Sequence, residues 1–203
     1  MKATAKIKTN SIYKYEQMVQ NARKSASLIS GRMSQKNNFD PVNKIKVRRA
    51  TRSDVKILVP FAKKEILKAS HYSSVARQTY SSHVSLAYML GIVKGGGFAV
   101  LALKGAELVG CLWTSFDSAD RSIMTFEWVL VNRRYKKQGI AKRMHNFAEK
   151  LAVSHGVRKI WGDSRASNYQ AIALEANFGA RRIGKLEKHW FGQDYILWEK
   201  QLK

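Results

Sequence analysis

The chain has 203 residues, enough for one domain with a hydrophobic core plus an extra segment. Its 37 Lys and Arg stand against 14 Asp and Glu, and the net charge of +23 suits contact with polyanions such as nucleic acid, anionic lipid, phosphate-bearing cofactors or acidic proteins. A single cysteine, Cys111, excludes an intrachain disulfide framework and a cysteine-based zinc site; with no apolar run of about 18 residues and no apolar secretion signal, a soluble, cytoplasmic protein without a membrane partner is expected.

Residues 1–43 differ in composition from the rest, being rich in Lys, Ser, Asn and Gln and free of strand-like runs. A weak helix over Ile12–Ser30 is the one element they suggest. They are expected to form a basic appendage, partly helical or flexible. The basic residues from Lys2 to Arg49 offer nucleic acid or another partner a surface, and a solvated tail that aids solubility fits the same composition.

A second domain is expected over residues 44–203. "KIKVRRA" alternates as a strand does. "SDVKILVPFAKKEILKAS" predicts a helix with Ser53 as N-cap and Pro60 inside it. "SSHVSLAYMLGIVKGGG" predicts a second helix, ended by Gly95–Gly97. Three strands follow, over Phe98–Leu103, Leu108–Phe116 and Ile123–Val131, and their short links favour an antiparallel meander. Cys111, in the apolar run "LVGCLW", fits a buried strand thiol. After Val131 comes "NRRYKKQGIAKRM", then a helix to about His155, closed by Gly156. "VRKIWGD" is a strand, "NYQAIALEANFG" a helix closed by Gly179, and "ARRIGKLEKHWF" with "DYILWEKQL" a last hairpin around Gly192. This order implies an α+β fold, a mixed sheet with helices on both faces.

The stretch Arg133–Arg143 holds six basic residues in eleven, yet it opens a helix whose Ile140, Ala141, Met144, Phe147, Ala148, Leu151 and Ala152 fall on one apolar face. It is therefore a strand-to-helix turn, with backbone N–H groups that lack intrahelical partners and point at the positive end of the helix dipole. Such a turn binds phosphate. Gly139 lets the backbone come close, Ala141 keeps a side chain away, and Lys136, Lys137, Lys142 and Arg143 add charge. The pattern is neither G-x-G-x-x-G nor a Walker loop, and a basic, solvated helix start fits the charge alone.

"VLVNRRYKKQGIAKRM" resembles the acetyl-CoA signature of the GNAT N-acetyltransferase superfamily, a strand followed by R/Q-x-x-G-x-G/A opening a helix. Lys136 stands where Arg or Gln is usual, and Ala141 where the second Gly is. "NYQAIALEANFGA" resembles the family's N-x-x-A…G-F segment, "GKLEKHWFGQDYILWEKQL" its closing hairpin and "IKVRRATRSDVKILVPF" its opening strand and helix. The resemblance spans about Lys44 to Leu202.

It implies a central sheet of about seven strands and an enzyme that moves acetyl from acetyl-CoA to a primary amine. By position, Val131, Lys136, Lys137, Gln138, Gly139, Ile140, Ala141 and Lys142 would hold the pyrophosphate and the start of the pantetheine arm. The strand edge at Val129–Val131 would pair with that arm as an added strand. Asn168 would lie near the pantetheine or thioester. Glu127 would be the general base, directly or through water; a strand carboxylate in an ion pair is the plainer alternative. Relatives often carry a Tyr seven residues after the Asn as proton donor to the leaving thiolate; here that position is Glu175. The basic charge and the absent Tyr also suit a rival, a non-catalytic member of the fold that sits on nucleic acid or in a nucleoprotein particle. An open cleft between the strand ending at Val131 and "KIWGD" separates the two readings.

His71, His83, His155 and His189 show no metal-ligand spacing, so no metal is expected. His145 is expected on the polar, solvated face of its helix. Trp113, Trp128, Trp161, Trp190 and Trp198 are expected in strands.

Overall fold

The computed structural model describes residues 45–202, so the appendage expected over residues 1–43 lies outside it. The chain runs β1 (Ile45–Arg49), α1 (Val55–Leu67), α2 (Ser74–His83), α3 (Leu86–Gly91), β2 (Gly97–Lys104), β3 (Glu107–Phe116) and β4 (Ile123–Val131). It continues through α4 (Ile140–Ser154), β5 (Lys159–Arg165), α5 (Tyr169–Phe178), β6 (Arg181–Leu186) and β7 (Tyr195–Gln201). The strands make one seven-stranded sheet in the order β1-β2-β3-β4-β5-β7-β6. Neighbours are antiparallel except β4 and β5, which run parallel because α4 carries the chain back across the sheet between them. The expected α+β class and seven-strand mixed sheet are what the chain forms.

Two cores cover the two faces. On one, Ile140, Met144, Ala148 and Ala152 of α4 and Phe178 of α5 pack on Phe98, Val100, Leu112, Met124 and Phe126. On the other, Leu58, Ala62 and Ile66 of α1 and Met89 of α3 pack on Ala99, Leu101, Cys111, Trp113 and Leu130. Residues 98–102 of β2 are buried throughout because both faces are covered, so this strand reads as an apolar run without alternation. Gly97 starts that strand where a Cβ would lie 1.9 Å from the Thr114 carbonyl oxygen, so only glycine fits.

Several local expectations change. The cap ahead of α1 is Thr51, which forms a capping box with Asp54 across a short 3-10 turn, Arg52–Asp54; Ser53 lies inside that turn. Arg48 holds the Asp54 carboxylate through two hydrogen bonds of 2.7 Å, which pin β1 to the start of α1. Pro60 is accommodated within α1. The single helix expected from Ser81 to Gly97 is broken at Val84–Ser85. Ser73 and Ser85 each accept a backbone N–H three residues on and so start two separate helices, α2 and α3. The stretch "SSVARQTY", too polar to show a core-facing period, belongs to α2. Trp190 sits in a 3-10 turn between β6 and β7 and is 44% exposed, not in a strand.

Candidate functional site

The site begins with one extra residue in β4. Trp113 pairs with Trp128 and Thr114 with Phe126, which leaves Glu127 unmatched in a β-bulge. The bulge resets the alternation of the strand. Met124 and Phe126 before it and Val129 and Val131 after it all face α4, while Trp128 and Leu130 face the opposite core. Pairing with β5 stops at the same place. The parallel ladder joins Ile123–Phe126 to Lys159–Gly162 in four pairs and then ends. From Glu127 to Val131 one edge of β4 is bonded to β3, and the other pairs with no strand among the described residues. The end of the ladder falls along the line where the cleft between Val131 and "KIWGD" was expected.

The basic turn lies at the far end of that unpaired edge. A 3-10 turn, Arg133–Tyr135, leads into Lys136 and Lys137, and both Lys137 (φ 62°) and Gly139 (φ 72°) take left-handed backbone. Gly139 is the N-cap of α4 and has no side-chain cap. The first bond of the helix runs from the Arg143 N–H to the Gly139 carbonyl at 3.0 Å, so the N–H groups of Ile140, Ala141 and Lys142 precede the ladder. A Cβ on Gly139 would meet nothing within 4 Å. Space, bare donors and the lysines around them suit a pyrophosphate such as that of acetyl-CoA. Ile140 itself is buried and anchors the turn in the core, while Lys136, Lys137 and Lys142 are exposed. Asn168 caps α5, its Oδ1 accepting the Ala171 N–H at 3.2 Å.

Glu127 is exposed at the bulge and accepts a hydrogen bond from the Ser115 hydroxyl. It is in no ion pair among the described residues. Asp163 of β5 is the first residue past the last rung. Desolvation and then the charge of Glu127 push it up to about 6, although its side chain keeps solvent contact at the cleft mouth. Glu175 of α5 is pushed up to about 7 by desolvation and then by Asp163. These two acids were not among the sequence candidates for catalysis; the fold brings Asp163 near Glu127 and Glu175 near Asp163.

On the α1–α2 side the wall is aromatic. Tyr72, Tyr80, Trp128 and Phe191 stand with ring centroids 5.3–5.6 Å apart. Behind them Arg165 is buried, 1% exposed. Its Nε donates to the Tyr195 hydroxyl at 3.1 Å and its Nη1 to the His71 carbonyl at 3.0 Å. Its guanidinium lies 4.2 Å from the Tyr72 ring centre, and Nη2 has no partner among the described residues. His71 is held down to about 4 by burial, then by Arg165 and Lys136, and is 3.2 Å from the Asn168 amide nitrogen. Sequence reasoning missed this wall. Its members come from four separate elements and share no spacing.

His145 corrects an expectation. It is fully buried between Phe126 and Phe178, with ring centroids 4.9 and 4.8 Å away, and neither ring nitrogen has a hydrogen-bond partner among the described residues. Burial, then Lys200, holds it down to about 3, so it is a neutral core ring. The helix face it occupies is one residue wider than the apolar pattern suggested, because α5 closes over that side. No group of three His, Cys, Asp or Glu among the described residues is arranged to hold a metal. No helix among them is long and apolar enough to cross a membrane.

A parallel strand pair whose ladder ends early thus lies beside a glycine-capped helix N-terminus within one mixed sheet. The profile of the acetyltransferase (GNAT) family matches residues 64–180, more than half of the chain, and the chain belongs to that family of enzymes. No curated protein matches the sequence. Solved structures share the fold at low identity. PaiA N-acetyltransferase from Thermoplasma acidophilum, in complex with coenzyme A, is 15% identical with a TM-score of 0.65, over 78% of this chain and 99% of that one. Ribosomal-protein-alanine N-acetyltransferase from Brucella melitensis is 18% identical with a TM-score of 0.63, over 77% and 99%. Ard1 from Thermoplasma volcanium is 12% identical with a TM-score of 0.61, over 79% and 99%.

Proposed function

We propose that the protein transfers acetyl from acetyl-CoA to a primary amine by direct attack. The observation that carries this reading is the end of β4–β5 pairing immediately before Glu127, in line with the uncapped start of α4. Bound there, acetyl-CoA would supply an activated acetyl thioester. The N–H groups at Gln138, Gly139, Ile140, Ala141 and Lys142 would bind the pyrophosphate, and Lys136 and Lys137 would add charge. The free edge of β4 at Val129 and Val131 would take the pantetheine as an added strand. Asn168 would bound the thioester end of the cleft. Glu127 would accept the proton of the attacking amine, directly or through one water. Its one hydrogen-bond partner among the described residues is the Ser115 hydroxyl, which leaves carboxylate capacity for that role.

The acceptor would enter over the aromatic wall of Tyr72, Tyr80, Trp128 and Phe191. A net charge of +23 favours a neutral or acidic acceptor over a polycation. The same charge supports a second contact, with nucleic acid, through the basic residues between Lys2 and Arg49. Deleting residues 1–43 should then flatten the salt dependence of nucleic-acid binding; an unchanged slope would remove that contact from the proposal.

Titration with acetyl-CoA tests the main reading. Ligand binding to the native state must raise the melting temperature by mass action, and a panel of primary amines should then yield acetylated product. A chain that gains no stability from acetyl-CoA does not have this function. One that binds it and acetylates nothing is the non-catalytic member of the fold.

A further inference from the structure

Arg165 carries a charge that nothing so far employs. It is buried and forms no ion pair among the described residues. Its Nε and Nη1 donate to neutral oxygens, the Tyr195 hydroxyl and the His71 carbonyl, and Nη2 is left without a partner. In the planar guanidinium one N–H of Nη2 runs parallel to that of Nε, so the free nitrogen looks toward the Tyr195 hydroxyl. That hydroxyl is bonded in turn to the Tyr80 hydroxyl at 3.2 Å. The two hydroxyls hold two hydrogens and share one bond. No other acceptor meets either of them among the described residues, so one O–H is also left over. The cluster thus has a positive charge and spare N–H and O–H donors, and no anion to receive them.

The backbone puts this cluster beside the end of the β4–β5 ladder. β5 pairs with β7 in unbroken register from Lys159 to Arg165, so Asp163 and Arg165 share one face of the strand. Ser164 between them turns to the other face, where its hydroxyl accepts the Trp198 indole N–H. Tyr72 then joins Arg165 to the aromatic wall. Its ring centre is 4.2 Å from the guanidinium carbon and 5.6 Å from the Trp128 ring, so a single ring separates the charge from the neighbour of Glu127. Tyr72 and Tyr80 are half-buried and reach solvent. Phe191, which packs on Tyr80 from the turn Trp190–Gly192, is held at φ 56°. Left-handed backbone strains a phenylalanine, and strain of this kind gathers at turns that clamp a ligand.

We propose that the amine acceptor is an amino acid, whose carboxylate docks on Arg165 Nη2 and the Tyr80–Tyr195 hydroxyl pair while its amine faces Glu127. The proposal rests on the acetyl-CoA reading of the cleft given above and names the acceptor class for it. A buried cation without a counter-ion is costly, and a carboxylate set against it removes that cost. One guanidinium with one hydroxyl matches the single negative charge of a carboxylate. The rings of Tyr72, Tyr80, Trp128 and Phe191 receive the rest of the molecule. An amine that lacks the carboxylate would leave Nη2 buried and unpaired in the complex, and the site discriminates against it for that reason.

The test has a binding arm and a kinetic one, both on the full chain. Phenylalanine, leucine, methionine and β-alanine are each compared with the amine that lacks only the carboxylate, such as phenethylamine for phenylalanine and ethylamine for β-alanine. Calorimetry with and without CoA should find at least one amino acid bound about 10²-fold more tightly than its counterpart. With acetyl-CoA, kcat/KM corrected for the fraction of free amine should favour the same amino acid by about 10²-fold or more. Arg165→Met should erase the preference in both arms and leave the KM for acetyl-CoA unchanged. Tyr80→Phe, which removes one hydroxyl, should reduce the preference severalfold. No preference for any amino acid in the parent would overturn the proposal, as would the parental preference in Arg165→Met. Should that variant fail to fold, Tyr80→Phe decides, and an unchanged preference in it overturns the proposal. CoA binding without an amino-acid preference sinks the proposal alone. An amino-acid preference lost in Arg165→Met, in a chain that does not bind CoA, keeps the carboxylate site and overturns the acetyl-CoA reading instead.

Discussion

The two sides of the cleft are made of different material. Toward α4 and α5 the site is built of backbone: a strand edge at Val129–Val131 and three N–H groups ahead of a helix ladder. Toward α1 and α2 it is built of side chains, a wall of rings closed behind by one buried arginine. Backbone donors suit a ligand part that never changes, such as a pyrophosphate. Side-chain walls suit a part that varies between proteins of one fold. The contrast predicts that substitutions on the first side act on acetyl-CoA and those on the second on the acceptor.

The largest effect should come from Glu127→Gln. It should cut turnover by roughly 10²–10⁴-fold while calorimetry finds acetyl-CoA affinity unchanged, with the deficit shrinking at high pH as the amine loses its proton unaided. Equal loss of affinity would move Glu127 to the cofactor side. Next, Gly139→Asp should weaken acetyl-CoA binding by at least about 10²-fold, through a carboxylate set against the phosphates and a left-handed backbone forced on a side chain. Circular dichroism should be unchanged, and undiminished binding would remove the loop from the site. Third, Phe191→Ala should raise the acceptor KM severalfold and leave that of acetyl-CoA alone; a shift in both would show that the two sides are not separate.

The smallest effect concerns stability alone. His145 is near 3 when folded and about 6.5 when unfolded, so the unfolded state binds the extra proton between those values. Stability contributed by the neutral ring is whole above about 6.5 and is lost as pH falls toward 3. His145→Phe should remove that loss, so that the melting temperature of the variant falls less steeply than the parent's as pH drops below about 6. An unchanged limb would assign acid sensitivity to other groups, Asp54 first, whose ion pair with Arg48 keeps it well below the ordinary carboxylate range.

The backbone side was legible in the sequence and the side-chain side was not. Gly139, the lysines and the period of Ile140, Met144 and Ala148 lie within thirteen consecutive residues, and local chemistry dictates their conformation. Val129 and Val131 follow once the strand before that turn is placed. Glu127 was found as a candidate by position, but the bulge that frees it was not, because no residue type marks it. Tyr72, Arg165 and Phe191 meet only through the crossover of α4 and the final hairpin. Asp163 looks like an ordinary strand acid, and Glu175 was noted only for standing where relatives often carry a Tyr; that the two lie close depends on how α5 packs on β5. His145 was misplaced for the same reason: helical spacing gives the direction of a side chain, not what another helix lays over it.

Cys111 has a consequence outside catalysis. It is the chain's one cysteine, and it is fully buried in β3 with its thiol pushed well above the usual range by burial and then by Glu65. Only a thiolate exchanges with a disulfide. The folded protein therefore offers CoA disulfide no cysteine thiolate for a mixed disulfide. Swings in the thiol redox state of the surroundings would leave this thiol unchanged while the fold holds.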